Sequence, residues 1–233
     1  AWFASFSDDA TLIDLLAKYQ EFASRLLILG GGSNMLFTAD FDGVVLKNEI
    51  KGITILQDVD GEVLVRAGAG VIWHDLVEWS ISNGLGGIEN LSLIPGTAGA
   101  APIQNIGAYG VELKDVFHSL ECVVIESGNL RTLTADECQF GYRDSIFKRA
   151  LKGKVVVTSI TLKLSRRHQL NIAYGAITQE LERMGVSNPG IREVSEAVIN
   201  IRRSKLPDPS RIGNAGSFFK NPEVSRSEEH TSE

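Results

Sequence analysis

Residues 94–110 read "IPGTAGAAPIQNIGAYG". The stretch carries no charged side chain and is built mainly of glycine, alanine and other small or apolar residues. It has too few bulky side chains to form a core by itself. Small residues let another group approach the main chain closely. Gln104 and Asn105 offer hydrogen bonds to a flat polar ring, and Ile103 and Ile106 offer apolar faces for it to rest on. A pyrophosphate joined to a ring system, such as a dinucleotide, suits that combination. A Gly/Ala-rich loop packed on a sheet suits it as well.

A second glycine-rich stretch, "GGGSN" at 30–34, directly follows the apolar run "LLIL" at 26–29. Glycines permit a tight turn in which several N–H groups converge on an anion, and Ser33 and Asn34 add side-chain donors. A simple turn is the plainer alternative. The familiar nucleotide motifs are absent. No GK[ST] occurs, and Gly30-x-Gly32, Gly68-x-Gly70 and Gly84-x-Gly86 continue to Met35, Trp73 and Glu89 where GxGxxG needs glycine.

Around these stretches the pattern is α+β. Helical spacing predicts a helix through "DATLIDLLAKYQEF" with its cap near Asp9, and another through "VIWHDLVEWSISNG" ended by Gly84. "LLIL", "GVVLK", "LECVVIE", "LRTLTA" and "KVVVTSITLKLS" predict strands, and Asp60-Gly61 predicts a hairpin within 53–70. A turn is expected at Ser127-Gly128-Asn129, and two helices are expected at 176–184 and from Glu193 to about Arg203, the second broken by "LPDPS".

Bulk properties narrow the function. The 233 residues carry a net charge of −6 with no Lys/Arg block, which argues against nucleic acid as a partner. No apolar run reaches the length of a membrane span, and the first residues lack a signal-peptide pattern. Cys122 and Cys138 stand apart without CxxC, which suits reduced thiols in a cytoplasm. The four histidines have no ligand spacing, so no metal site is expected.

Four motifs, "LILGGGSNML", "ENLSLIPGTAGAAPIQNIGAYGVEL", "FGYRDSIFK" and "KLPDPSRIGNAGSFFKNP", occur in the order seen in the UDP-N-acetylenolpyruvoylglucosamine reductases, and the chain resembles that family from about Leu26 to Ser225. The resemblance implies a two-part FAD-binding domain of the vanillyl-alcohol-oxidase (PCMH) type over residues 1–166, in subdomains of about 1–50 and 51–166. Residues 167–225 would then be linker helices and the start of a substrate-binding α+β domain. It implies FAD as cofactor, NADPH as reductant and a UDP-sugar enolpyruvyl ether as substrate, in the cytoplasmic synthesis of peptidoglycan precursors. A flavin oxidase of the same fold, or a non-catalytic FAD-binding fragment, are the alternatives.

The same resemblance assigns residues. Gly30, Gly31, Gly32, Ser33, Asn34, Pro95, Gly96, Gly99, Ala100, Ala101, Ile103, Gln104, Asn105, Gly107 and Tyr109 would hold FAD. Arg143 would polarise the substrate carboxylate, a task suited to a permanent planar cation; from the residues alone, an arginine next to an aspartate more often forms a surface ion pair. Ser217 would be the proton donor, needing neighbours that stabilise its oxyanion; the bland reading is a turn cap. Tyr174, placed as in the tyrosine-loop type, and Lys205 and Asn221 would contact substrate. Measured against the family, residues are missing at both ends. "RSEEHTSE" at 226–233 matches the translation AGA-TCG-GAA-GAG-CAC-ACG-TCT-GAA of a sequencing adapter, so genuine coding is expected to end near Ser225, with a natural acidic tail as the rival.

Overall fold

Asp60 and Gly61 both take left-handed backbone angles, φ 52° and 83°. Two such residues in succession form the hairpin turn whose twist matches that of the flanking strands. The computed structural model, which describes residues 1–208 and 211–212, accordingly pairs β4 (Ile53–Val59) with β5 (Glu62–Gly68), Val59 opposite Glu62. Upstream lie β1 (Trp2–Phe6), β2 (Leu26–Leu29) and β3 (Val44–Asn48). Downstream come the short β6 (Gly107–Ala108) and β7 (Val111–Glu112), then β8 (Phe117–Val124), β9 (Leu130–Thr134) and β10 (Val155–Ser165). The helices are α1 (Asp9–Lys18), α2 (Trp73–Ser82), α3 (Ala135–Cys138), α4 (Gly175–Arg183) and α5 (Ile191–Lys205).

Two sheets carry the fold. β1, β3 and β2 form a parallel sheet with β3 in the middle. The larger sheet runs β4-β5-β10-β8-β9 and is antiparallel throughout. β10 lies at its centre and is buried along most of its length, which suits its run "VVVTSITL", rich in β-branched residues. The helix over 9–18 is capped by Asp8 rather than Asp9: its Oδ1 accepts the Thr11 N–H at 2.7 Å. Gly84 (φ 68°) follows α2, and Gly128 (φ 69°) turns β8 into β9.

The sheets share a core. Phe6, Leu12, Leu16, Val44 and Leu46 from the first unit pack with Val123 and Val156 from the second. A larger cluster lies beneath α2 and includes Trp73, Leu76, Ile88, Leu91, Leu120 and Ile160. A third joins α4 to α5 through Ile177, Leu181, Ala197, Val198 and Ile201. Between the sheets, buried Asn48 at the end of β3 donates Nδ2 to the Val157 carbonyl at 2.9 Å and accepts the Ile50 N–H at 3.1 Å.

Three main chains cross beside Asn48, against the edge of a fourth, β10. The Gly70 N–H reaches Ile50 O at 2.8 Å, Ala69 N–H reaches Thr158 O at 2.9 Å, and Gly99 N–H reaches Ala69 O at 2.9 Å. The backbones meet so closely that a Cβ on Gly70 would lie 2.8 Å from Asn48 O, and one on Gly99 would lie 2.5 Å from the Ala69 Cβ. Residues 98–104 form a 3-10 helix lying on this crossing, with Ala98, Ala101 and Pro102 buried.

Gly99→Ala must force the crossing apart, at a cost of about 1–3 kcal/mol typical of overpacking. Urea denaturation should show a lower midpoint at unchanged slope, and a wild-type midpoint would contradict the geometry. Cys122 and Cys138 are buried thiols, pushed up by burial to about 11 and about 12. In the folded protein both should resist alkylation at about pH 8 and react once denatured. Their protons stay bound in the native state while unfolded thiols ionise near the ordinary value of 9, so stability should fall as pH rises from there toward the folded values. Rapid alkylation of the native protein would contradict this.

Candidate functional site

β2 ends at Leu29, and the next residues turn directly against the loop that precedes the 3-10 helix. A Cβ on Gly30 would stand 2.7 Å from Thr97 Oγ1, one on Gly31 would be 3.4 Å from Gly96 Cα, and one on Gly96 (φ 113°) would be 3.3 Å from Ser33 Oγ. The two glycine stretches of the sequence are thus one structure, two loops in contact. Among the described residues, the main-chain N–H groups of Gly31, Gly32, Ser33 and Asn34, and of Gly96 and Thr97 opposite, meet no protein acceptor. Gly31, Gly32 and Asn34 are exposed while Thr97 is buried. Unpaired N–H groups on two adjoining loops are a donor set that fits an anion such as the pyrophosphate of a dinucleotide.

The rest of the 94–110 stretch divides between packing and surface. Gly99 and Ala101 are small because β5 and the core lie against them. Pro95 and Ala100 are exposed, and Ile103 and Gln104 partly so. Asn105 departs from expectation. Its side chain is fully buried, Nδ2 donating to Gly141 O at 3.0 Å and to Glu112 Oε2 at 3.2 Å, while Oδ1 accepts the Lys114 N–H at 3.0 Å. Both of its N–H hydrogens are spent inside the fold, and its buried oxygen already accepts a backbone N–H. Asn105, itself left-handed at φ 44°, instead anchors the loop that carries Arg143.

That loop is held on both sides. Ser145 Oγ donates to Ile103 O at 2.7 Å, and Lys148 Nζ donates to Arg143 O at 3.0 Å. Arg143 does not pair with its neighbour: Asp144 lies 3.4 Å from Arg149, and Arg143 Nη2 donates to Gly107 O at 2.5 Å. Arg143 also has φ 52°. A left-handed arginine costs about 1–3 kcal/mol and persists where the surroundings impose it, as functional sites do.

From Gly107 the chain reaches Tyr109 (φ 50°), whose ring meets that of Tyr174 edge to face at 5.4 Å. Burial pushes the Tyr109 phenol up, and the positive charge of nearby Arg202 on α5 draws it the other way. Arg202 Nε also donates to Leu93 O at 3.2 Å. The Tyr109 ring thus faces the α4–α5 side of the molecule. Tyr174 precedes α4 and is half exposed; Lys205 ends α5 and is exposed. Ser217 and Asn221 lie outside the described residues. Thr97, Asn90 and Arg202 had not been singled out in the sequence. The signal for Thr97 was its place between Gly96 and Ala98, and for Asn90 an amide inside the apolar "ENLSLI". A cleft of about 480 Å³ lies elsewhere, lined in part by Leu16, Tyr19, Leu26, Ile125 and Leu151, and takes in none of these residues.

The contact between loops yields a prediction. Gly30→Ala drives a methyl into Thr97 Oγ1 and must separate the two N–H clusters. FAD affinity, read by flavin fluorescence, should fall about tenfold or more with the melting temperature little changed. Undiminished affinity would show that the loops do not act together.

The family described as FAD binding domain matches residues 2–134. The UDP-N-acetylenolpyruvoylglucosamine reductase of Flavobacterium johnsoniae is 51% identical over 205 residues, 88% of this chain and 61% of that protein. Its namesake from Pseudomonas aeruginosa is 50% identical over 217 residues, 93% of this chain and 64% of that protein. The chain thus spans a little under two thirds of these relatives, and the resemblance carried by the four motifs is borne out. Among solved structures, the UDP-N-acetylenolpyruvylglucosamine reductase of Thermus caldophilus aligns with TM-score 0.66 at 23% identity, over 94% of this chain and 68% of that one. A solvent-stable cholesterol oxidase aligns with TM-score 0.53 at 18% identity over 70% of this chain and 34% of that one. At those identities the structural likenesses speak for the fold alone, the two-part α+β flavoprotein architecture. With more than half its length matched, the chain belongs to the FAD binding domain family.

Proposed function

We propose that this chain forms the FAD-binding part, residues 1–166, and the beginning of the substrate-binding part, from 167 onward, of an NADPH-dependent reductase that converts UDP-N-acetylglucosamine enolpyruvate to UDP-N-acetylmuramate in the cytoplasm. The observation that carries the reading is Arg143: a left-handed arginine with its guanidinium turned from Asp144 to the Gly107 carbonyl, in a motif shared with the reductases. The cysteines, free and buried, accord with a reducing compartment.

In this reading the N–H groups of 31–34 and 96–97 hold the FAD pyrophosphate, with Pro95, Ala100, Ile103, Gln104 and Gly107 along the exposed side of the same stretch. Bound FAD supplies hydride exchange between NADPH and the enolpyruvyl double bond. The protein's own residues do the rest. Arg143 binds the substrate carboxylate through parallel N–H bonds and stabilises the negative charge that develops there as the neighbouring carbon is reduced. Ser217 Oγ–H delivers a proton to the adjacent carbon, completing the lactyl ether. Tyr174, Lys205 and Asn221 orient the UDP-sugar, so that binding energy far from the reacting carbons places them for reaction.

The purified protein should be yellow and release FAD on denaturation. In the full-length enzyme, NADPH consumption should depend on the enolpyruvyl UDP-sugar; consumption equal without it, matched by oxygen uptake, would identify an oxidase. Ser217→Ala should leave flavin reduction by NADPH at its wild-type rate and slow the reoxidation by substrate by about 10²-fold or more. Stopped-flow traces in which both phases slow together would contradict the proton-donor role.

A further inference from the structure

Asn90 lies in the buried turn 89–91, only 1% exposed, and no reaction chemistry falls to it. Its Nδ2 sends one hydrogen to Tyr109 O at 3.0 Å and the other to Asn171 O at 2.8 Å. Two carbonyl acceptors fix which end of the amide faces them, because an oxygen there would meet oxygens. Among the described residues, Oδ1 finds no partner. A buried amide with one end unpaired costs stability that an apolar residue would avoid. What Asn90 supplies is the double donation by its nitrogen.

Those two carbonyls belong to the segments that carry the paired rings. One is Tyr109 itself, left-handed at φ 50°; the other lies three residues before Tyr174. Asn171 returns the connection, its Nδ2 reaching Gly110 O at 2.9 Å. Arg202 on α5 lies near the Tyr109 hydroxyl, and α5 is tied to the same turn by the Ser92–Ser195 hydroxyl pair at 2.7 Å. The Asn90 NH₂ thus bridges the glycine-rich stretch and the segment leading into α4, beside the direct Asn171–Gly110 bond. We infer that Asn90 is a positioning residue that fixes the Tyr109–Tyr174 ring pair, and through it the face that receives the UDP end of the substrate. The part concerning substrate rests on the proposed reductase activity; the part concerning the ring pair does not.

The test is a double-mutant cycle, Tyr109→Leu and Tyr174→Leu, read by urea denaturation of the purified chain with Asn90 intact and again with Asn90→Asp. Asn90→Asp keeps the shape and removes both N–H donors, so that the two carbonyls can no longer be bridged at once: even a protonated carboxyl has a single O–H. The inference expects the two tyrosine losses to be non-additive while Asn90 is present and additive once Asn90→Asp has removed the N–H donors, with the single variant Asn90→Asp keeping wild-type FAD affinity. Coupling that persists in Asn90→Asp overturns it, and so does a parallel loss of FAD affinity, which would mark a general structural role. Should Asn90→Asp fail to fold, Asn90→Ser, with at most one donor, must weaken the coupling, and unchanged coupling overturns the inference. UDP binding by calorimetry separates the two levels. If Tyr174→Leu weakens UDP and Asn90→Asp weakens it about as much, the substrate face is set as inferred; if only Tyr174→Leu does, the positioning role fails. A wild-type chain that ignores UDP removes the substrate part of the reductase reading, and the ring-pair cycle still decides the role of Asn90.

Discussion

The structure depends on a place where three main chains cross at backbone distance. Ile50 after β3, Ala69 and Gly70 after β5, and Gly99 at the start of the 3-10 helix are linked by N–H···O bonds of 2.8–2.9 Å. Side chains are excluded there, since a Cβ on Gly70 or Gly99 would sit within 2.8 Å of a neighbour. Such an approach is possible only for glycine, at some cost in chain entropy on folding. What offsets that cost is the joint: the parallel sheet, the antiparallel sheet and the glycine-rich stretch are fixed relative to one another. Asn48 completes it by bonding β3 to β10.

Function follows from what the joint brings together. Because the 3-10 helix is pinned at Ala98 and Gly99, the residues just before it, Gly96 and Thr97, are held against the turn after β2. The residues just after it, through Asn105, support the Arg143 loop. A donor-rich cradle therefore stands at one end of a single stretch and a guanidinium at the other. An extended dinucleotide with a reactive ring suits that spacing of unlike chemistries. The α4–α5 side then adds Tyr174 against Tyr109, with Arg202 and Lys205 on α5, and the reductase reading brings the UDP-sugar to these residues.

Some of this was legible in the residues. Asp60-Gly61, Gly84 and Gly128 marked turns because only a few residue types accept left-handed angles, and the strand runs of β8 to β10 were rich in β-branched residues. The fold family was carried by the motifs, not by periodicity. Other features were hidden for physical reasons. β1 exposes Trp2 and Phe3 and buries only Phe6, so no alternation announces it; parallel pairing to β3 makes it a strand. Asn105 looked like a ligand contact because a buried, internally bonded amide and an exposed one are the same letter. Residues 94–110 allowed both a ligand loop and a packed loop; the structure buries Thr97, Ala98, Ala101, Pro102, Asn105 and Ile106 and leaves Pro95 and Ala100 exposed. Asn90 and Arg202 were silent because their partners are main-chain carbonyls and a phenol far away in sequence.

The central claim is that the turn after β2 and the loop at 96–97 act as one anion cradle. Amide hydrogen exchange with and without FAD measures it directly, because it reads the N–H groups themselves. The account predicts that residues 31–34 and 96–97 gain protection together at the same FAD concentration. FAD that binds while either set of amides exchanges as fast as in the free protein would contradict it.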